Sequence, residues 1–302
     1  MLTYTGLRNL YGQLTNKSSS AHLTDGDRLI NDVYLRLTNN FNWPFLQKQT
    51  TITTVASQQA YDLPNDLSKI VAVTVTVSTT QYTLKEIPNW NDWEDLNSTT
   101  TFTSQFPSHY FVFNNQIHVF PTPSAAGDTI TVTYRQKVKE LSIADNTTGT
   151  IVSITNGAKA LVGSGTSWTA GMVGNYIKIT DGFAANLGDN FWYKISAVGS
   201  TTTITLDKSY QGTTIAAGSA GLTLGQIPLI PEEYQAMLVY YAAYQYWNAQ
   251  NNGATRAAEF RDQYNEFLNQ MVKDQGEKSM DVVIEPVSDD PMLNPNLFIT
   301  AS

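Results

Sequence analysis

The sequence predicts an α+β fold, in which a helical body carries an antiparallel β portion and an inserted all-β domain of sandwich or barrel type. Three observations support this prediction: helical spacing of apolar residues near both ends, strand-like alternation from about residue 50, and a change to Thr, Gly and Ser over residues 142–226. We therefore expect a body of residues 1–141 and 227–280, an inserted domain of residues 142–226, and an extended arm of residues 281–302.

Two helices are predicted at the start of the chain. Apolar residues of the first helix share one face; they are Leu7, Leu10, Tyr11 and Leu14. Thr24 and Asp27 resemble a capping box, which predicts that the second helix begins there. Residues 43–46 (WPFL) should end it, because the residue before a proline is pushed away from helical geometry.

Strand signals follow. In residues 71–77 valine alternates with threonine, which predicts that Val71, Val73, Val75 and Val77 share one face. Residues 109–120 have the pattern of a hairpin, since Asn114 and Asn115 tolerate the positive φ angles of tight turns. Residues 129–134 predict a further strand.

Three large side chains in residues 89–96 fit a short helix or an ordered loop; they are Trp90, Trp93 and Leu96.

The inserted segment contains a glycine-rich stretch that could be mistaken for a phosphate-binding loop. The position three residues after Gly165 is Trp168, and strand-like sequences lie on both sides, so no helix N-terminus is available for a phosphate. We interpret its glycines as turn residues, with Trp168 packed in the domain core, and predict no cofactor. These glycines are Gly163, Gly165, Gly171 and Gly174.

A helix is predicted over residues 234–252, where no residue is charged and large side chains surround the helix. Such a helix must be buried on several sides, either within the monomer or by neighbouring subunits. The candidate subunit-packing residues are Tyr234, Met237, Leu238, Tyr240, Tyr241 and Trp247. After Gly253 a second helix completes a hairpin; its apolar residues are Phe260, Tyr264, Phe267, Leu268 and Met271.

The last segment contains three prolines between residues 286 and 295, so it cannot form one continuous helix. It also keeps apolar residues, which suits an arm that becomes ordered on a partner. The candidate anchor residues are Val282, Ile284, Leu293, Leu297 and Phe298.

Composition limits the possible chemistry. The chain has no cysteine and a net charge of −8, and residues 227–302 contain eleven acidic but only four basic residues. Clustered positive charge, which phosphate binding requires, is missing, so sequence-specific DNA binding is disfavoured.

Three acidic residues, Asp92, Glu94 and Asp95, fit a solvated face. His109 and His118 share a hairpin face, but no third metal ligand is indicated. We therefore predict neither an enzyme nor a metal site, and no apolar run suggests a membrane span.

Aromatic residues of the inserted segment leave one alternative open. If they are exposed, they could stack on sugar rings, and the protein would then be a glycan-binding tail component. These residues are Trp168, Phe191, Trp192 and Tyr193.

The order of four segments resembles that of tailed-bacteriophage head-to-tail connector proteins, the adaptors that bind under the portal ring. The segments are WPFL, AYDLPNDLSKI, FPSHYFVFNNQIHVFPTP and IPEEYQAMLVYYAAYQYW. The inserted segment, with GSGTSW, MVGNYIKI, WYKISAV and TTITLD, is similar to β domains that recur in phage structural proteins.

This resemblance implies a homo-oligomer, commonly a dodecameric ring, that joins the portal protein to a downstream tail or nozzle protein. The ring would line the DNA exit channel without binding DNA specifically, and the C-terminal arm would dock on the portal. The location implied is the neck of the virion, after assembly in the host cytoplasm. A tail-tube or stopper ring is the alternative within the same class.

Overall fold

The computed structural model describes residues 1–98, 103–180 and 188–280, and its fold is α+β as the sequence predicts. The described helices are α1 (Tyr4–Thr15), α2 (Ser20–Asn40), α3 (Trp90–Ser98), α4 (Met237–Asn248) and α5 (Ala254–Met280). The described strands are β1 (Gln47–Thr53), β2 (Ala60–Asp62), β3 (Leu67–Val77), β4 (Thr80–Thr83), β5 (Lys85–Glu86), β6 (Thr103–Ser104), β7 (His109–Phe113), β8 (Gln116–Phe120), β9 (Thr122–Pro123), β10 (Thr129–Gln136), β11 (Thr150–Ile154), β12 (Ala160–Ser164), β13 (Tyr176–Thr180), β14 (Trp192–Ser200), β15 (Thr203–Leu206) and β16 (Gly221–Gly225).

The helices form one layer with a shared core. Helix α4 packs against α1, α2 and α5, and α4 and α5 form the predicted hairpin. Fully enclosed side chains of this core include those of Leu7, Tyr11, Ile30, Tyr34, Leu46, Leu141, Met237, Leu238 and Met271.

The predicted start of α2 is wrong. The helix begins at Ser20, where the hydroxyl of Ser19 accepts a hydrogen bond from the His22 backbone N–H. Thr24 lies inside the helix, and its hydroxyl donates to the carbonyl of Ser20 at 3.0 Å. Its side chain therefore bonds the preceding turn instead of capping a helix. Helix α2 ends at Asn40, shortly before a 3-10 turn at Pro44–Leu46.

Two four-stranded sheets pack together over a second core. Their strand orders are β1-β10-β3-β4 and β2-β8-β7-β5. Val73, Val75 and Val77 point into this core as predicted, but Val71 is 49% exposed. The register between β10 and β3 shifts at that point and leaves Val71 as an extra residue between two paired positions. This β-bulge turns its side chain to the opposite face.

The predicted hairpin is confirmed by β7 and β8, which pair antiparallel through Asn114 and Asn115 at φ of 50° and 59°. The region around Trp90 and Trp93 forms a helix, α3, rather than a loop. Helix α3 lies over the aromatic face of this hairpin, since the Trp93 and Phe111 rings stack with centroids 5.5 Å apart.

A third, six-stranded sheet has the order β11-β12-β15-β14-β13-β16 and its own apolar core. Its two edge strands approach each other, because Ile151 of β11 forms a bridge with Ala220 next to β16. The sheet is therefore curled into a partial barrel. Strand β16 was not predicted from the sequence.

The glycine interpretation is partly right. Gly165 and Gly174 have φ of +67° and +90°, which favours glycine in a turn. Gly163 instead lies in β12, where an added Cβ would be 2.6 Å from the Trp168 ring, so close packing explains it. Gly171 lies in a short 3-10 turn with ordinary space around it.

The chain enters and leaves the third sheet at one place. Asn146 and Leu224 exchange two backbone hydrogen bonds of 2.8 Å. Nearby, the Gln226 side chain accepts from the backbone N–H groups of Ser142 and Ile143 and donates to the carbonyl of Glu140. An insertion requires such adjacent ends; that residues 142–226 form a separate domain stays a prediction.

Candidate functional surfaces

The helix predicted over residues 234–252 is shorter in the structure: α4 spans Met237–Asn248 and carries five of the six predicted subunit-packing residues, whereas Tyr234 lies in a 3-10 turn before it. The chain itself encloses half of the six. Tyr234, Met237 and Leu238 are 4%, 0% and 0% exposed. The Tyr234 hydroxyl donates to Asp274 of α5, and this hydrogen bond, followed by burial, raises the pKa of Tyr234 to about 12. The contact joins α5 to the 3-10 turn at Glu232–Tyr234.

The other three residues keep partly exposed side chains. The Tyr240 ring lies between Phe260 and Phe267, at centroid distances of 6.4 and 5.7 Å. The Trp247 indole N–H donates to the carbonyl of Leu14 at 3.3 Å, and the Arg256 guanidinium lies over the same ring. Tyr241, which is 5.0 Å from the Tyr264 ring, is also half-buried. Subunit packing by α4 stays a prediction, and the surface available for it is at Tyr240, Tyr241 and Trp247.

The predicted anchor residues of the arm, Val282, Ile284, Leu293, Leu297 and Phe298, lie outside the described residues.

An exposed aromatic surface was not identified from the sequence. Trp90 and Phe113 are 47% and 51% exposed, and their rings lie 4.9 Å apart. A second exposed pair, Tyr82 and Phe106, has ring centroids 5.6 Å apart. Exposed aromatic pairs of this kind are candidates for protein interaction sites. The alternation of apolar residues could not reveal this surface, because it assigns Phe113 to the same face as buried Phe111.

Of the two hairpin histidines, His118 lies among aromatic rings, whereas Nδ1 of His109 is 2.9 Å from the Ser108 hydroxyl. His118 pairs with Phe111 across the hairpin, and the Trp93 ring is 6.0 Å away. Burial lowers the pKa of His118, and its Nε2 has no hydrogen-bond partner among the described residues. The described ranges contain no group of three metal-ligating side chains. Asp92, Glu94 and Asp95 are exposed on α3.

The aromatic residues proposed for glycan stacking do not form one exposed surface. Trp168 and Tyr193 are only 3% and 6% exposed and belong to the core of the third sheet. Phe191 is 69% exposed, but Trp192 is half-buried. Sugar stacking needs an open ring face, which Trp168 lacks.

A cleft of about 710 Å³ separates the end of the first sheet from the third sheet. Four lysines line it: Lys48, Lys137, Lys139 and Lys194. Lys48 forms an ion pair with Asp66, at 2.8 Å between Nζ and Oδ2, and this contact raises the pKa of the ammonium group. No sequence pattern indicates this cleft, because its lining residues come from several segments that are distant in the chain.

The sequence profile of the SU10 adaptor protein family matches residues 2–159. The match covers α1, α2, α3, the first two sheets and β11. No curated protein matches the chain. None of the helices in the described ranges is long and apolar enough to cross a membrane.

Proposed function

The chain belongs to the SU10 adaptor protein family, a family of phage structural adaptors, and we propose that its copies form a ring joining the portal to the tail. The family match carries this proposal, because it spans just over half of the chain and includes most of the helical and β elements of the body. A structural, non-enzymatic role in the virion is part of the proposal.

Ring formation requires side chains that can be buried between subunits. Two surfaces support it: the exposed pairs Trp90–Phe113 and Tyr82–Phe106, and the half-buried aromatic side chains of α4. Aromatic residues are enriched at the centres of protein interfaces, where they bury a large area at low cost in side-chain entropy.

The ring is further proposed to line the DNA exit channel. The net charge of −8 supports passage of DNA without specific binding, because an acidic surface does not release phosphate counterions. The C-terminal arm is proposed to dock on the portal through its apolar residues, by strand addition or by insertion into pockets.

Mixing the purified chain with its portal protein tests the ring. We expect a portal-dependent ring that is visible by electron microscopy and sediments as one complex. A chain that remains monomeric and unattached in the presence of its portal would contradict the proposal.

A deletion of residues 281–302 tests the arm. We expect portal attachment to fall by at least tenfold in affinity, about 1.4 kcal/mol, while the far-ultraviolet circular dichroism stays unchanged. Unaltered attachment of the truncated chain would remove the arm from the docking proposal while leaving the ring proposal standing.

A further inference from the structure

An exposed aromatic pair with carboxylates beside it lies on the outer face of the second sheet. Trp90 of α3 and Phe113 of β7 are 47% and 51% exposed, and their ring centroids are 4.9 Å apart. Glu94 follows Trp90 by one helical turn and is exposed. Asp62, also exposed, accepts a hydrogen bond from Gln116, the cross-strand partner of Phe113. We call Trp90, Phe113, Glu94 and Asp62 the aromatic patch.

The cleft between the first and third sheets has the opposite charge. Its lining includes four lysines and one carboxylate, that of Asp66, which is paired with Lys48. Lys137, Lys139 and Lys194 form no ion pair with any described residue. The cleft therefore keeps an excess of positive charge, which favours an acidic partner.

The cleft also offers apolar contact area. Val138 lies between two of its lysines in the chain, and Val173, on the side of the third sheet, is 47% exposed. The volume of about 710 Å³ falls within the roughly 300–1,000 Å³ typical of sites that enclose a bound group. Apolar side chains next to ammonium groups suit a partner that presents aromatic rings next to carboxylates, which is the composition of the aromatic patch.

The aromatic patch and the cleft are different surfaces of the same chain, since no residue of the patch lines the cleft. A contact between two different surfaces leaves one patch and one cleft unused at the ends of every assembly. Such a heterologous contact repeats from copy to copy until it closes into a ring. The opposite charges of the two surfaces therefore fit the symmetry that a ring requires.

We propose that the aromatic patch of each copy binds in the basic cleft of the next copy. Its two rings pack against the apolar lining, and its carboxylates lie beside the lysines. Aromatic side chains enclosed in a partner's pocket contribute much of the binding energy of an interface, and complementary charges select the partner. This inference rests on the proposed ring and names the two surfaces that meet in it.

Two charge-reversed variants test the contact. The patch variant carries Asp62→Lys and Glu94→Lys, and the cleft variant carries Lys137→Glu and Lys139→Glu. All four side chains are exposed, so we expect the far-ultraviolet circular dichroism of both variants to match that of the wild type. Each full-length variant is mixed with the portal protein, and rings are counted by electron microscopy.

Each variant alone brings like charges together, so we expect its ring yield to be at least about tenfold below that of the wild type. In an equimolar mixture, every reversed patch can bind a reversed cleft and every native patch a native cleft. The mixture should therefore restore the yield to within about twofold of the wild type. Glu259→Lys with Glu266→Lys, on the exposed face of α5 and outside both surfaces, is the control and should leave the yield unchanged.

A cross-link tests the same contact without the portal. Because the chain has no cysteine, Asn91→Cys, next to Trp90, can be mixed with Ser196→Cys in the lining of the cleft. Ser200→Cys is the control, since Ser200 is exposed on the same strand four residues farther along. With one partner isotope-labelled, we expect mass spectrometry to show mixed disulfide dimers forming at least about fivefold faster with Ser196→Cys than with Ser200→Cys.

The outcomes separate this inference from the ring itself. Normal rings from each charge-reversed variant alone, or a mixture as deficient as its components, would refute the contact and leave the ring standing. Absence of wild-type rings would contradict the ring; faster cross-linking at Ser196 would then retain the contact between copies, and equal rates would overturn it. Binding of a short DNA duplex that the cleft variant alone loses would assign the lysines to nucleic acid instead.

Discussion

Gly163 lies in β12 directly against the indole of Trp168, whose side chain fills the core of the third sheet. An added methyl group would be 2.6 Å from the Trp168 ring and 2.8 Å from Thr166 Cγ2. Both contacts are far inside van der Waals distance, so the ring or the strand would have to move. The glycine is therefore required by the tryptophan and not by a turn.

The change Gly163→Ala should lower the free energy of unfolding by about 1–3 kcal/mol, because it overpacks this core. Urea denaturation followed by tryptophan fluorescence measures the loss. Gly171→Ala is the matched control, since the nearest atom to its added Cβ is 3.8 Å away; we expect a change within about 0.5 kcal/mol. Equal stability of the two variants would refute this account of Gly163.

His118 should make stability depend on pH. Burial lowers the pKa of its imidazole below the ordinary value of 6.5, so the unfolded chain binds a proton more readily than the folded chain. The free energy of unfolding should therefore decrease as the pH falls below about 6.5. We expect His118→Gln to lose less stability than the wild type between pH 7 and pH 5, as measured by urea titrations at several pH values.

The stability of the His118→Gln variant should still depend on pH, because burial also lowers the pKa of His22. His109→Gln, on the same face of the hairpin, serves as the control for loss of a ring. An identical pH profile for His118→Gln and the wild type would show that His118 does not contribute.

At the scale of single elements, the sequence predicted those features that neighbouring residues determine. The β7–β8 hairpin followed from Asn114 and Asn115, because the two-residue turn itself sets the pairing. The exposure of Val71 could not be predicted, because the bulge exists only in the register between β3 and its partner β10. The start of α2 was missed because serines and threonines occur at several neighbouring positions, and each is a competent cap.

The Gln226 side chain joins the segments that connect the body to the third sheet, in addition to the Asn146–Leu224 backbone pair. Gln226 makes three hydrogen bonds to the backbone of residues 140–143, at 2.8 to 3.0 Å. We expect Gln226→Ala to reduce the free energy of unfolding by about 1 kcal/mol, since two exposed hydrogen bonds and one part-buried hydrogen bond to the backbone are lost. Chemical denaturation measures this loss.

Gln58→Ala provides the comparison for that experiment. The Gln58 side chain makes one such bond, to the carbonyl of Ala60 on an exposed surface, whereas the Gln226 side chain makes three. A loss for Gln226→Ala no greater than that for Gln58→Ala would show that the connecting segments are held by other contacts.

For the whole molecule, the α+β class followed from the periodicity of apolar residues, whereas the division of the body into a helical core and a β core was not predicted. Strand β16 was missed because its short, glycine-bounded sequence pairs with β13, some forty residues earlier. The basic cleft was missed for the same reason: its lysines are brought together only by the packing of distant segments. The predicted arm lies outside the described residues, so its role rests on the proposals above.

If residues 142–226 form an independent domain, the chain should unfold in two steps. We expect two transitions in differential scanning calorimetry of the full-length chain. Replacing residues 147–223 by a short Gly-Ser linker should leave one transition and the helical circular dichroism, because Asn146 and Leu224 are already adjacent. A single transition in the full chain, or an unfolded deletion variant, would contradict the division.

The paired connection at Asn146 and Leu224 also has a mechanical consequence. Two covalent strands run side by side between the body and the third sheet, so tension between these parts is shared by two polypeptide backbones. A single proteolytic cut in either strand leaves the other intact. Both parts of the chain would therefore stay attached after one cut, whereas a chain with a single linker would be severed.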